Sequence, residues 1–287
     1  MKILPKTNRL AGQTILIVLL IMAVILTIAL STISTSVTDI KISQETEEAS
    51  RAYYVAESAL EEQLLAFATA LRSTTGVIGD IDYQVTKADL GGQRDLLLPS
   101  VLNANQAQTV WLIDHNNDGS LKEGTSFGVG SIDVYFGSPE VAGIVPAVAI
   151  SLVYKDSGGD FQILRKNCDP DPSGTRRASN HFDSAGTAGY LVSGVTLKYS
   201  CQVSISSGKT PYLLKLALLY STLPHAVGLK AVDASKILPR QGYCFESTAK
   251  VPPSGITRKI KQCKTWPDLP EIFSWGLFSG SDLEQQL

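Results

Sequence analysis

The chain has 287 residues, 44% of them apolar, and a formal net charge of −2 at pH 7. A balance this close to neutral lacks the basic excess that nucleic-acid-binding proteins use to attract phosphates, so nucleic acid is not expected as a main partner. Residues 73–287 alone are also nearly neutral, with 19 basic and 20 acidic side chains, and are numerous enough for one large or two small globular units.

The chain begins with a basic leader, residues 1–12, which carries Lys2, Lys6 and Arg9. No charged residue follows until Asp39, and about 20 consecutive apolar residues are enough for a helix to cross a bilayer. We therefore predict a transmembrane segment at about residues 14–36. The positive-inside rule places the leader in the cytoplasm and the rest of the chain outside it. These features predict a single-pass protein of the cytoplasmic membrane.

The helix is predicted to continue beyond the membrane. Neither glycine nor proline occurs between Gln13 and Thr75, so no residue there breaks a helix. Beyond Asp39 apolar residues recur at spacings of three and four, as on one face of an amphipathic helix. Those residues are Tyr53, Ala56, Leu60, Leu64, Phe67 and Leu71. Arg72 and the following Gly76 predict the end, which gives one helix over residues 13–72.

This N-terminal region resembles that of type IV pilins and pseudopilins, and most closely the PilX-like minor pilins. The resemblance rests on the leader ending at Gly12, the uncharged half of the helix, and the Arg-x-x-aromatic-x-Ala-Glu-x-Ala-Leu pattern of residues 51–60. It implies that a prepilin peptidase cuts after Gly12, that Gln13 is then methylated, and that the helix packs among other pilin subunits. Ile17 stands where major pilins carry a glutamate, which favours a minor subunit.

Several other interpretations of this region are open. A cleaved secretory signal fits poorly, because the apolar run is long and Ser34–Ser36 is a weak cleavage site. A plain membrane anchor does not explain the predicted helix beyond the membrane. A pseudopilin of type II secretion, and an adhesive or DNA-binding tip module on the same anchor, remain as alternatives to a type IV pilus subunit.

Residues 73–287 predict an extracytoplasmic head rich in β-strands, which would lie outside the membrane or in an extracellular filament. The expected fold class is α+β and pilin-like, with an antiparallel sheet or a small β-sandwich after the long helix. Predicted strands cover residues 77–85, 110–113, 131–136, 147–154, 161–164, 190–206, 212–220, 241–251 and 256–263. Residues 190–206 are expected to form either a strand pair or one long strand bent at Gly194. Residues 167–189 read as a long loop, and residues 266–275 as an aromatic tail lying over the sheet.

The four cysteines fit two disulfides formed in an oxidising compartment. The turn Pro252–Gly255 centres a hairpin that places Cys244 opposite Cys263. Directly opposed residues of antiparallel strands are close enough for a disulfide. Cys168 and Cys201 would then form the second bridge.

One loop has the start of a calcium-binding pattern. Asp114, Asn116 and Asp118 supply oxygen ligands at positions one, three and five, glycine follows at six, and the Ser120 carbonyl stands at seven. Thr125 replaces the glutamate expected at position twelve. Asp and Asn also favour ordinary β-turns, so a Ca²⁺ site and a plain turn are both open and no cofactor is certain.

The chain offers little evidence for catalysis. Ser126 lies in a Gly-x-Ser-x-Gly pattern, but that nucleophile motif requires a helix after it and a strand is predicted instead. His115, His181 and His225 fall in loop-like segments without a sequence pattern that links them to the serine. We therefore expect that the protein is not an enzyme.

Two basic clusters raise the question of a surface for DNA. Both are interleaved with acidic or hydroxyl side chains, so a solvated strand or loop face explains them equally well. The clusters are Arg165, Lys166, Arg176 and Arg177, and Arg258, Lys259, Lys261 and Lys264.

Overall fold

A computed structural model describes residues 11–103, 106–139 and 145–268. A 56-residue helix, α1 (Ala11–Ala66), precedes a short 3-10 turn and a long series of strands. The strands are β1 (Ser73–Ile78), β2 (Ile81–Leu90), β3 (Asp95–Leu97), β4 (Ala107–Trp111), β5 (Ile113–His115), β6 (Leu121–Ser126), β7 (Gly130–Phe136), β8 (Ala147–Lys155), β9 (Phe161–Asp169), β10 (Asp183–Ser184), β11 (Tyr190–Val192), β12 (Val195–Leu197), β13 (Tyr199–Ile205), β14 (Thr210–Leu219), β15 (Val227–Ala231), β16 (Gly242–Lys250) and β17 (Thr257–Thr265). A second, short helix, α2 (Thr175–Asn180), follows β9. This order confirms the prediction of one long N-terminal helix followed by a mainly antiparallel β-region of α+β class.

The chain divides into two compact units. The first contains the described part of Met1–Ala59 together with Thr75–Gln84 and Ser247–Ile260. The second contains Leu60–Thr74, Val85–Glu246 and the described part of Lys261–Leu287.

In the first unit α1 packs on the sheet through small side chains. Ala52 and Ala56 are fully buried and belong to one apolar cluster with Ile81 and Ala249. Alanines let a helix backbone approach a sheet closely, and spacings of three and four keep them on one face. The predicted packing face was therefore partly wrong, because Tyr53 is 45% exposed and points away from this cluster.

The second unit is a β-sandwich. Its two main sheets have the strand orders β10-β9-β8-β14-β4 and β13-β7-β15-β3, and all their pairs are antiparallel except β9 with β10. Alternate residues of β7, including Val134 and Phe136, share one buried cluster with Ile150 of β8 and Leu216 of β14. The alternation along each strand buries one face between the sheets, as sandwich packing requires. β14, predicted as a central strand, lies between β8 and β4.

The two disulfides are the pairs predicted from the sequence. Cys168 of β9 bonds to Cys201 of β13 and thereby joins the two sheets of the sandwich, while Cys244 of β16 bonds to Cys263 of β17. The hairpin register agrees with the second pair, because the Val251 N–H donates to a carbonyl across the turn, that of Ile256, at 2.9 Å.

The predicted end of the helix was wrong by six residues. α1 ends at Ala66 rather than Arg72, and Phe67 follows with a φ of 38°, which breaks the helical backbone. The Lys87 N–H donates to the Arg72 carbonyl at 2.9 Å, and the Lys87 ammonium donates to the Ala70 carbonyl at 3.2 Å. Bonds to a neighbouring strand thus replace the last predicted turn of the helix.

Two segments differ from their predicted secondary structure. Residues 77–85 are not one strand, since a turn at Gly79, whose φ of 65° suits glycine, separates β1 from β2. The predicted loop 167–189 includes α2 and the short strand β10. Residues 190–206 form β11, β12 and β13, and Gly194 makes the turn between the first two.

Candidate functional site

The first half of α1 has the composition and exposure of a membrane span. The helix is long and apolar enough to cross a bilayer, with a mean hydropathy of 3.0 over its most apolar window and none of that window buried within the chain. Two of its threonine hydroxyls are bonded within the helix, since Thr27 donates to the Val24 carbonyl and Thr32 to the Ile28 carbonyl. A polar group bonded inside its own helix costs little in lipid. Length and composition alone support this assignment.

The second half of α1 carries an excess of acidic side chains and has one buried face. Residues 39–66 carry seven carboxylates and two cations. Both cations are already paired: Arg51 contacts Asp80 at the β1–β2 turn, and Lys41 lies 3.9 Å from Glu45. The remaining carboxylates of α1 make no ion pair with any residue that the structure describes.

The predicted processing site lies at the start of the described chain. Residues 1–10 of the predicted leader are outside the described residues. Gly12 and Gln13 belong to the first turn of α1, and the side chain of Gln13 is exposed. Cleavage after Gly12 and methylation of Gln13 stay predictions.

The residues of the calcium-like loop bond with one another as a β-turn between β5 and β6. The Asp118 carboxylate accepts bonds from the Ser120 N–H at 2.9 Å and the Ser120 hydroxyl at 2.6 Å, and these bonds lower the pKa of Asp118. The Ser120 carbonyl accepts the Asn116 N–H at 2.8 Å. Asp114 is in β5. No cluster of three acidic, His or Cys side chains suited to a metal occurs in the described part of the chain, so the geometry favours a turn.

Asp114 and Ser126 are brought together at one cavity of about 460 Å³ in the second unit. Lys236 and Arg240 also line it, but Lys236 donates to the Phe127 carbonyl at 3.0 Å, and Arg240 is paired with a carboxylate. Ser126 ends β6 and β7 follows, so the strand–turn–helix context of a nucleophile motif is not present at this position.

His181 and His225 lie in the loop-like segments predicted for them, whereas His115 lies in a strand. His115 is in β5 and is 6% exposed, and His225 is 3% exposed in a bridge to Leu102. Burial lowers the pKa of both imidazoles. His181 is the residue that caps α2, with a left-handed φ of 54°. Two of the three are thus neutral core residues.

An aromatic cluster in the second unit was not predicted. The His115 ring stacks on Trp266 at 4.9 Å and meets the edge of Trp111 at 4.8 Å. Phe67 and Tyr243 lie against Trp266, which is 3% exposed. Trp266, the first residue of the predicted aromatic tail, is therefore part of the buried core. The residues of that tail from 269 onward are outside the described residues.

In the first basic cluster, Arg176 makes ion-pair and hydrogen-bond contacts within the head. Arg176 makes a two-pronged ion pair with Asp169, whose side chain is 0% exposed, and also donates to the Val145 carbonyl at 2.9 Å. Its guanidinium stacks 4.5 Å from the Tyr220 ring. The residues around Arg176 in the sequence do not show that Asp169 is buried, so a surface position was predicted for this cation.

Two further cations of that cluster are also bonded. Arg177 donates to the Asp171 carbonyl at 2.6 Å, and Lys166 lies 2.6 Å from Asp183. Several converging free cations are needed to bind a nucleic-acid backbone, and these two are bonded to their own loop or strand.

The edge of β4 is closed by a side chain. The Gln241 amide donates to the Trp111 carbonyl at 2.8 Å and accepts the Trp111 N–H at 2.7 Å. This pair of bonds imitates the bonding of a neighbouring strand.

Comparison of the chain with models of known protein families, with characterised proteins and with solved structures gives no match.

Proposed function

We propose that the protein is a membrane-anchored structural subunit of a type IV pilus or a related filament, assembled through α1. The observation that carries the proposal is the continuity of one helix from an uncharged, fully exposed half into a half whose alanine face packs on a sheet. An anchor alone needs only the first half. A helix whose apolar half is uncovered in the single chain can exchange lipid contacts for contacts with other such helices.

The minor-subunit assignment rests on Ile17. An isoleucine at this position cannot neutralise the amino terminus of a neighbouring subunit, as an acidic side chain could. The subunit would therefore enter a filament whose main subunits provide that charge. A prepilin peptidase and other pilin subunits are the partners that this function requires.

Mass spectrometry of the mature amino terminus tests the proposal. The full-length chain is expressed in a host with and without a prepilin peptidase. With the peptidase we expect a chain that begins at Gln13 and carries one added methyl group. An intact Met1 in both hosts, or a new terminus near Ser36, contradicts the filament function.

A further inference from the structure

One edge of the sandwich is largely uncovered. In the sheet β10-β9-β8-β14-β4, strand β9 pairs with β8 along nearly its whole length, whereas β10 covers its other side only at Cys168 and Asp169. No strand in the described part of the chain pairs with residues 161–167 on that side. At about 3.3 Å per residue this open edge is roughly 23 Å long, which is enough for a strand of ordinary length.

The hydrogen bonds of the β8–β9 hairpin determine which residues present their main chain to the open edge. At the turn the Asp156 N–H donates to the Asp160 carbonyl at 3.0 Å, so these two residues form a bonded pair. Bonded and non-bonded pairs alternate along an antiparallel ladder, and this ladder has no bulge. The main-chain groups of Phe161, Ile163 and Arg165 therefore point away from β8, towards the open side.

Two of these residues also carry an exposed apolar surface. Phe161 and Ile163 are 60% and 55% exposed. Edge strands usually carry polar side chains or are covered, because an open apolar edge pairs with other chains. Two other edges of the sandwich follow that rule, since β13 exposes Gln202 and Ser204, and the Gln241 side chain closes β4. The edge of β9 has no such protection at its first residues.

The Phe161 ring is held in position on one side and uncovered on the other. It meets the Tyr212 ring edge-on at 5.1 Å, and the Lys155 ammonium lies 5.0 Å from its centre. The Tyr212 hydroxyl donates to the Glu123 carboxylate at 2.7 Å, so this acid is already bonded within the head. A ring that is already ordered loses little conformational freedom when a partner covers it.

Arg165 adds a positive charge to the open edge. It is exposed, and no hydrogen bond or ion pair joins it to the residues that the structure describes, whereas the adjacent Lys166 lies 2.6 Å from Asp183. Ser151, opposite Arg165 on β8, is neutral. The exposed carboxylate of the hairpin turn, Asp160, is about 17 Å away along the strand. The guanidinium therefore favours a carboxylate on an incoming chain.

We propose that the Phe161–Arg165 edge of β9 accepts an extended segment of another protein as an added strand. In this mode of binding, main-chain hydrogen bonds supply affinity and alternate side chains supply specificity. The segment that the edge accepts carries apolar side chains over Phe161 and Ile163 and a carboxylate beside Arg165. The site lies in the head, so the inference goes beyond assembly through α1 and does not rest on it.

A synthetic strand tests the site on the detergent-solubilised full-length chain. The probe is a fluorescein-labelled nonapeptide, Val-Thr-Val-Thr-Glu-Thr-Val-Thr-Val, which places its glutamate beside Arg165 in either strand direction. We expect fluorescence anisotropy to show binding, and amide hydrogen exchange to become slower at Phe161, Ile163 and Arg165. The same peptide with N-methylated valines and glutamate lacks the donors that pair with an edge, and should bind about tenfold more weakly.

Two variants make the test specific. Ile163→Pro removes an N–H on the open side, where an edge strand tolerates proline, and should weaken binding about tenfold; Ile163→Val is its matched control. Arg165→Glu should shift the preference to a probe with lysine in place of glutamate. Lys250→Glu makes the same change of charge at an exposed position of β16 and should not shift it. Mapping of the disulfide between Cys168 and Cys201 in each variant verifies that β9 is still in place.

The contrary outcomes are distinct. Strand addition is overturned if the wild-type chain does not bind the glutamate probe, or if N-methylation or Ile163→Pro leaves binding unchanged. An unchanged preference in Arg165→Glu overturns the acidic partner. A wild-type chain that is dimeric by sedimentation and becomes monomeric in Ile163→Pro shows that a second copy fills the edge, which overturns a different protein as the partner. None of these results bears on cleavage after Gly12, so failure of this inference and failure of the proposed function are distinguishable.

Discussion

Loss of one partner from the buried ion pair between Arg176 and Asp169 should strongly destabilise the head. The Asp169 side chain is 0% exposed and that of Arg176 is 19% exposed, so Arg176→Ala leaves a buried carboxylate without its counter-ion and with the Asp171 N–H, at 2.9 Å, as a remaining donor. Removing one partner of such a pair costs about 3–5 kcal/mol. At about 2–4 °C per kcal/mol for a domain of this size, the melting temperature should fall by roughly 6–20 °C.

Denaturant unfolding of the detergent-solubilised full-length chain, followed by tryptophan fluorescence, measures this loss. Lys166→Ala is the matched control, because its pair with Asp183 is exposed and should be worth at most about 1 kcal/mol. The double variant Arg176→Met and Asp169→Leu should recover much of the stability, since no charge is then left buried. The reasoning is refuted if Arg176→Ala costs no more than Lys166→Ala, or if the double variant is as unstable as the single one.

Three further predictions concern the head. Burial lowers the pKa of His115 and His225, so the unfolded chain takes up protons first as the pH falls below about 6.5. The free energy of unfolding should therefore be highest above that pH and decrease towards pH 5. His115→Phe should make the urea midpoint less dependent on pH. Millimolar calcium should leave the melting temperature unchanged, because the Asp118 carboxylate is bonded within its turn; a gain in stability that Asp118→Ala abolishes would establish a calcium site instead. Replacing Cys244 and Cys263 by serine should cost about 3 kcal/mol for a loop of this length, measured by the same unfolding assay; an equal midpoint would show that the bridge constrains nothing.

Features set by neighbouring residues in the sequence were predictable. The absence of charge, glycine and proline is enough to predict a continuous helix, which the structure has from Ala11 to Ala66. The turn Pro252–Gly255 fixes the hairpin register, and with it the position of Cys244 opposite Cys263. In both cases the deciding residues lie within one element or one turn.

Features set by distant residues were not predictable in the same way. Apolar spacing along α1 favoured large residues such as Tyr53 and Leu71 for the buried face, but the sheet packs on alanines because they permit the closest approach. The end of α1 depends on bonds from Lys87, which the sequence does not place beside Ala70. Likewise, the burial of Asp169 depends on the sandwich around it, and only that burial changes Arg176 from a surface cation into a core group.

The disulfide between the two sheets also determines how the head responds to tension. A pull applied on either side of this bond cannot extend the segment from Cys168 to Cys201, whose ends are 33 positions apart, while the bond is intact. At about 3.4 Å per residue this removes roughly 110 Å of contour length from any stretched state. The 19-residue span closed by Cys244 and Cys263 removes a further length of about 65 Å. Reduction of both disulfides would add this contour length to the stretched chain. The oxidised head is therefore less extensible under tension than the reduced one.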